Sequence, residues 1–534
     1  MIKEPLIKSS ANCVAGKMRM DARRATKVVA GTTKPRSATT QTPHFAATRT
    51  GRDFPGGLLC RSACQGWWPL AAPRFAHPIP ESRRRNRVGL NQRFLYVFKW
   101  CGLVLLGLLA AAGHAFAILP IQNWQTSTGA RVYFVESHQL PLLDVSIDFA
   151  AGSGRDTPAK SGLANLTRHM LNLGAGALSE DEIAEKLADV GAQLGGRIDQ
   201  DRAGMTLRTL SNARERDQAL DVLSRIVQRP EFSEKVLGRE KARLAAMLKE
   251  AATKPESIAE RAFYSLLYGS HPYALRTSGE VDSLESLKRD DMVQFYRAYY
   301  TASNAVVAII GDVSRETARE IAEKLTAKLP EAAAPLPVLP QVPLPAQAQN
   351  HEIPHPATQS HILIGYPGIK RDDPDYFALF VGNYILGGGG FSSRFVEQVR
   401  QKRGLVYSVY SYFMPLKEQG PFQIGLQTKK EQADEALKVV RETLRDFIAK
   451  GPTEKELEAT KQNLVGGFPL RIDSNKKILE YLALIGFYHL PLTYLDDFVP
   501  RVEKVTVAQI KSAFQRRINP DNMVTVIVGA PGAG

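Results

Sequence analysis

Two stretches of this 534-residue chain are written to one pattern, and that duplication constrains the fold more than any other feature. "FYRAYYTASNAVVAIIGDV" (295–313) and "FQRRINPDNMVTVIVGAP" (514–531) each pass from an aromatic-led helix end to Asn and a β-branched apolar strand. A Gly follows seven residues past each Asn (Asn304/Gly311 and Asn522/Gly529). Each half also opens on strand-like alternation, "RVYFVESHQLPLLDVSIDFAAGS" (131–153) and "SHILIGYPGI" (360–369), the spacing that buries one face of a sheet. Helical patterns follow at 181–190, 215–229, 234–252, 372–386 and 431–449. Strands and helices do not alternate one for one, which argues against a doubly wound parallel sheet. The expected fold is α+β: two duplicated α/β-sandwich domains, each a mostly antiparallel sheet packed with helices, over 118–329 and 350–534. Between them "PEAAAPLPVLPQVPLPAQAQ" (330–349) carries six prolines, a composition that favours an extended, semi-rigid connector.

The formal charge of +15 does not mark a nucleic-acid binder. Residues 1–117 hold 19 of the 69 Lys+Arg but only 4 of the 54 Asp+Glu, so 118–534 is neutral and shows no basic stripe. All four cysteines (Cys13, Cys60, Cys64, Cys101) also precede residue 118. The body therefore has no disulfide framework, thiolate metal site or cysteine nucleophile, a composition suited to an oxidising compartment. In 88–117, a basic flank precedes the apolar run "CGLVLLGLLAAA" and the small-x-small site Ala115-Phe116-Ala117. That is the layout of a secretory signal peptide cleaved near Ala117, giving a periplasmic or secreted protein that meets the membrane only in transit. The competing arrangement is an uncleaved anchor. Residues 1–87 form an irregular basic leader, read as a mis-extended reading frame with Val88 as a candidate start.

"GLANLTRHMLNLGAG" (162–176) predicts an amphipathic helix, with Leu163, Leu166, Met170 and Leu173 on one face and Asn165, Arg168, His169 and Asn172 opposite. A helical zinc site needs two imidazoles and a carboxylate base on one face, one turn apart; the inverted form is H-x-x-E-H. Here only one imidazole is present. His351, His355 and His361 offer no substitute, because the prolines of "HEIPHPATQSH" prevent a helical pair. "GYPGIK" lacks the spacing of a phosphate-binding loop.

On "GLANLTRHMLNLG", "SHPYALRTSGEVDSLESL" (270–287), "GGGGFSSRFVEQVRQKRGLVYSVYS" (387–411) and the two strand–Gly repeats, the chain resembles the pitrilysin/insulinase family of inverzincin metallopeptidases, in the processing-peptidase branch. The resemblance puts Asn165 at the first zinc-binding His, Arg168 at the general base, His169 at the second His and the downstream glutamate ligand near Met247, with Glu240 or Glu250 as the alternative match. Even with a carboxylate from Glu240 or Glu250, one imidazole falls short of the three protein ligands of catalytic zinc, and a fixed cation at 168 cannot take a proton from metal-bound water. Zinc-dependent hydrolysis by this chain alone is therefore not expected, and no metal or other cofactor is expected in it.

The resemblance also implies what is kept. An Arg and a Tyr at the spacing of Arg400 and Tyr407 bind the substrate carbonyl and steady the oxyanion in that family, a role suited to two preorganised donors. The glycine run Gly387, Gly388, Gly389 and Gly390 falls where the family has a segment that handles substrate peptide, and is read as a mobile, substrate-touching loop. These features imply the non-catalytic subunit of a heterodimeric zinc peptidase. It would take extended or unfolded peptide as an added strand and lend Arg400 and Tyr407 to a homologue that carries intact H-x-x-E-H and the zinc. The alternative is a peptide-binding or scaffolding protein with no proteolytic partner, which would have no use for oxyanion donors.

Overall fold

The computed structural model describes residues 119–529, so the expectations for the leader, the signal segment and Ala117 lie outside the described residues. The first sheet is built from β1 (Gln122–Gln125), β2 (Arg131–Glu136), β3 (Leu142–Phe149), β4 (Gln193–Ile198), β5 (Ala203–Leu210) and β6 (Ala305–Gly311), in the order β1-β2-β6-β3-β5-β4. The second is built from β7 (Gln349–Ile353), β8 (Gln359–Pro367), β9 (Val406–Phe413), β10 (Pro421–Lys429) and β11 (Val524–Val528), in the order β7-β11-β8-β10-β9. Without β1 the two orders are the same. In each half the last strand inserts next to the first and runs parallel to it, β6 beside β2 and β11 beside β7, while the other pairings are antiparallel. The repeated Asn–strand–Gly segments are these inserted strands. The fold is α+β, two mixed sheets packed with helices.

The inserted strand β6, "AVVAIIG", is buried at every position, because both faces of its sheet are covered. Val307 and Ile309 point into a core made by the first half's own helices. Val306, Ala308 and Ile310 point the other way, into a core shared with the second half. That second cover is an exchange. The helix Asn475–Tyr488 of the second half lies on β6, β3 and β2 of the first sheet, and the helix Pro255–Tyr268 of the first half lies on β8 and β11 of the second. Each crossing uses a glycine as a recess. A Cβ on Gly365 of β8 would sit 2.3 Å from the Phe263 ring, and one on Gly486 would sit 2.6 Å from Tyr133 and Val306.

A buried carboxylate ties the crossing together. Asp201, in the β4–β5 turn and 4% exposed, accepts hydrogen bonds from the Tyr273 hydroxyl, from the Tyr488 hydroxyl at 2.8 Å and from the Lys417 amide at 2.7 Å. Three separate segments thus converge on one side chain. The proline-rich connector has no helix or regular strand over 331–348. It is nonetheless pinned, because Leu339 and Val342 are buried beside Tyr268 and Tyr273.

Because each half completes the other's core, the described body should unfold in one transition. Gly365→Ala forces the Phe263 ring out of its recess and is expected to cost about 1–3 kcal/mol, the range for overpacking a close-packed core. Urea unfolding followed by far-UV circular dichroism and tyrosine fluorescence should show one coincident transition at a lower midpoint.

Candidate functional site

The helix Leu163–Met170 is shorter than its apolar spacing suggests. It stops because the chain turns at Gly174 and Gly176, which adopt φ of 135° and 55°, a region that favours glycine. Leu163, Leu166, Met170 and Leu173 are buried as the pattern requires. Asp156, only 5% exposed, accepts from the Gly162 and Ala164 amides and caps the helix start. Asn165, Arg168, His169 and Asn172 are all half-buried on the other side.

His169 faces the long helix Glu234–Ala251. Its Nε2 lies 2.9 Å from Glu240 Oε2 and 2.9 Å from Arg243 Nη2. Nε2 either donates to the carboxylate or accepts from the guanidinium, and in both cases its lone pair is not open to a metal. Glu240 is 4% exposed and also accepts from Arg243 Nε at 2.7 Å and Arg239 Nε at 2.8 Å. Arg239 in turn reaches Glu180 at 2.6 Å. Burial alone would raise the Glu240 pKa, but the hydrogen bonds from His169, Arg243 and Arg239 win and hold it down at about 2. Met247 lies two helical turns beyond Glu240, 53% exposed, with its Sδ 3.9 Å from Arg243 Nη1.

These residues do not fit zinc. Asn165 and Met247 supply neither an imidazole nor a carboxylate. The one remaining histidine and the one nearby carboxylate are bound to each other and to two arginines. Arg239 and Arg243 give Glu240 the positive charge that a dication would otherwise supply. Neither arginine was singled out in the sequence. Their signal was the spacing Arg239-Glu240-x-x-Arg243, which places a guanidinium on each side of the carboxylate.

Arg168 lies apart from this cluster. Its guanidinium covers Gly196 of β4 so closely that a Cβ there would fall 1.3 Å from Nη2. Its Nε is buried with no hydrogen-bond partner, as is the hydroxyl of fully buried Tyr300. Burial lowers the Arg168 pKa from the usual arginine value, with the neighbouring Tyr300 acting in the opposite sense.

The second half brings Arg400 and Tyr407 together. Arg400 sits in the helical turn Val396–Gln401, anchored upstream by the two-pronged Arg394–Glu456 pair at 2.6 and 2.7 Å. Gly404, with φ of 64°, reverses the chain into β9. The Arg400 guanidinium then lies 5.4 Å from the Tyr407 ring centre and 5.2 Å from that of Phe391. Tyr407 is 77% exposed and Phe391 73%. No hydrogen bond, ion pair or ring contact joins this group to the His169 cluster.

The glycine run is not an open loop along its length. Gly387, Gly388 and Gly389 complete a wide helical turn closed by the Gly389 amide on the Tyr384 carbonyl at 2.7 Å. A Cβ on Gly387 would meet Ser411 of β9 at 2.3 Å. Their glycines serve close packing, and only Gly390, with φ of 62° and open space around it, begins an exposed tip leading to Phe391. His351, His355 and His361 do not meet; His355 bonds the Thr253 carbonyl and His361 lies against Gln427. Among the described residues no group of three His, Cys, Asp or Glu could hold a metal.

Fold and site together define a peptidase-like scaffold whose metal-ligand set is incomplete. The family model described as "Insulinase (Peptidase family M16)" matches residues 131–280, and that described as "Peptidase M16 inactive domain" matches 286–464. The chain belongs to peptidase family M16, and within it is a pseudo-peptidase. It is similar to an uncharacterized zinc protease, YmxG, of Bacillus subtilis (strain 168), at 25% identity over 411 residues, covering 76% of this chain and 98% of the relative. It is equally similar to the non-peptidase homolog YmxG of Helicobacter pylori (strain ATCC 700392 / 26695), at 25% over 401 residues, covering 74% and 91%. A crystal structure of a peptidase M16 inactive domain from Pseudomonas fluorescens is 39% identical with a TM-score of 0.75, covering 78% of this chain and 99% of that one.

The Glu240 pKa lies below its ordinary value of 4.5. The cluster's stabilisation is therefore complete above that pH and is lost as the pH falls towards 2. Glu240→Gln takes the counter-charge from the half-exposed Arg243 guanidinium, leaves Arg239 with Glu180 alone, and should cost about 1–3 kcal/mol at neutral pH. Chemical denaturation across pH 2–7 should show the wild-type advantage over the variant shrinking below about pH 4.5.

Proposed function

We propose that this chain is the non-catalytic subunit of a two-chain zinc peptidase. It binds extended peptide and lends Arg400 and Tyr407 to the metal centre of a homologue that carries intact H-x-x-E-H. The observation that carries this reading is the Arg400–Tyr407 pair. A tyrosine 77% exposed at the start of an edge strand is stacked on a guanidinium 5.4 Å from its ring centre. Neither polar end has a hydrogen-bond or ion-pair partner among the described residues. Two free donors held in fixed relation suit a carbonyl oxygen that gains negative charge, and one such donor is typically worth roughly 10²–10³ in rate.

Further support comes from the two sheets. β4 and β9 each end their sheet and have one neighbour, so each has an edge at which an extended peptide can pair through its backbone. The absence of cysteine from 118–534 agrees with an oxidising compartment, and the reading places the protein in the periplasm or outside the cell after cleavage near Ala117. The metal belongs to the partner, because the cluster around His169 does not fit one.

The test is co-expression with a homologue bearing intact H-x-x-E-H, followed by cleavage of unstructured peptides. The chain alone should be inactive and the mixture active. Tyr407→Phe or Arg400→Ala should lower kcat by about 10²-fold or more, with the same elution volume for the complex. Full activity of the double variant would remove the role given to this pair, and inactivity of every such mixture would leave the scaffolding alternative.

A further inference from the structure

We propose that the remnant of the metal site is a carboxylate-binding site, in which Arg168 takes an acidic side chain or the terminal carboxylate of a peptide lying along β4. The inference rests on the peptide-binding part of the proposed function and names the chemistry of the peptide.

Three observations lead to it. First, the Arg168 side chain has no hydrogen bond or ion pair among the described residues, and its Nε is buried. Removing part of an unpaired cation from water is costly, so the chain tolerates at this place a half-buried charge that no side chain among the described residues pairs with. Second, the space in front of the guanidinium is built for it. Gly196 of β4 has no side chain where the guanidinium lies, and β4 is the outer strand of its sheet. A peptide paired to that edge sends alternate side chains to the face on which Arg168 lies. Third, the buried carboxylates around the helix are already engaged. Glu240 is held by Arg239 and Arg243, and Asp156, which shares Tyr300 as a neighbour with Arg168, accepts from the Gly162 and Ala164 amides. Arg168 is thus the cation left over, and a guanidinium's parallel donors match a carboxylate in a two-pronged pair.

The free chain and its binding should therefore respond in opposite senses. Removing the charge with Arg168→Met relieves an uncompensated burial and should raise Tm, whereas an arginine that supports the fold would lower Tm when removed. Binding is read by fluorescence anisotropy with three labelled, unstructured peptides. One is amidated and carries a single Glu, the second is its amidated Gln counterpart, and the third is the Gln sequence with a free carboxyl terminus. The wild-type chain should bind at least one carboxylate-bearing peptide about tenfold or more tightly than the amidated Gln peptide. Which of the two is preferred separates a side-chain carboxylate from a terminal one.

Arg168→Met should abolish that preference while leaving the amidated Gln peptide unaffected. Gly196→Ala, which displaces the guanidinium without removing it, should weaken the preference in the same direction. Equal affinity of all three peptides for the wild type, no binding of any of them, a preference that survives Arg168→Met, or a fall in Tm of that variant would overturn the inference. Equal affinity of the wild type for all three peptides together with an active, Tyr407-dependent complex would overturn the carboxylate site alone. A preserved preference with an inactive mixture would overturn the partnership alone.

Discussion

Each sheet of this protein has two apolar faces and helices of its own for only one of them, and the rest of the structure depends on how the second face is covered. The solution is reciprocal. Pro255–Tyr268 leaves the first half to cover β8 and β11, and Asn475–Tyr488 leaves the second to cover β6, β3 and β2. The fit is made at Gly365 and Gly486, where backbone and aromatic ring approach too closely for any side chain. The crossing is locked at Asp201, whose carboxylate accepts hydrogen bonds from segments that are distant in sequence. The surfaces that carry the functional reading, β4 with Arg168 and β9 with Tyr407, lie at the outer edges of sheets that this exchange fixes.

The second theme is charge compensation. A metallopeptidase site gathers histidines and carboxylates around a cation. Here the gathering has been kept in part and the cation supplied from within. Glu240 is buried, as a ligand or its support would be, and is held ionised by Arg239, Arg243 and His169. The scaffold thus keeps a closed, satisfied cluster with no demand for metal. Arg168 does not join that cluster and remains without a counter-charge. Arg239 and Arg243 thus complete the fold, whereas the Arg168 side chain has no partner among the described residues.

Much of the architecture was legible in the sequence. The Asn–strand–Gly repeat marked both inserted strands, and the period-two segments marked β2, β3 and β8, because local patterning and burial agree there. The incomplete ligand set was also legible, since Asn165 and Arg168 stand within an otherwise matching motif. The helix exchange was not, because Gly365 and Gly486 are ordinary glycines until the partner ring is known. The arginine clamp was hidden for a similar reason: "GREKARL" has the composition of a solvated helix face, and only the buried Glu240 gives its charges a direction. The run Gly387–Gly390 looked like a flexible loop by composition. Three of its glycines instead meet the close approach of β9 and of the helix before it, a constraint set by tertiary packing.

His169 and Glu240 are committed to arginines and not to a metal, and the functional reading of the site depends on this. The most direct measurement is zinc bound per chain after equilibration with excess zinc and removal of free metal, made on the wild type and on His169→Ala. No stoichiometric zinc is expected in either protein. One equivalent of zinc on the wild type that disappears in His169→Ala would contradict it.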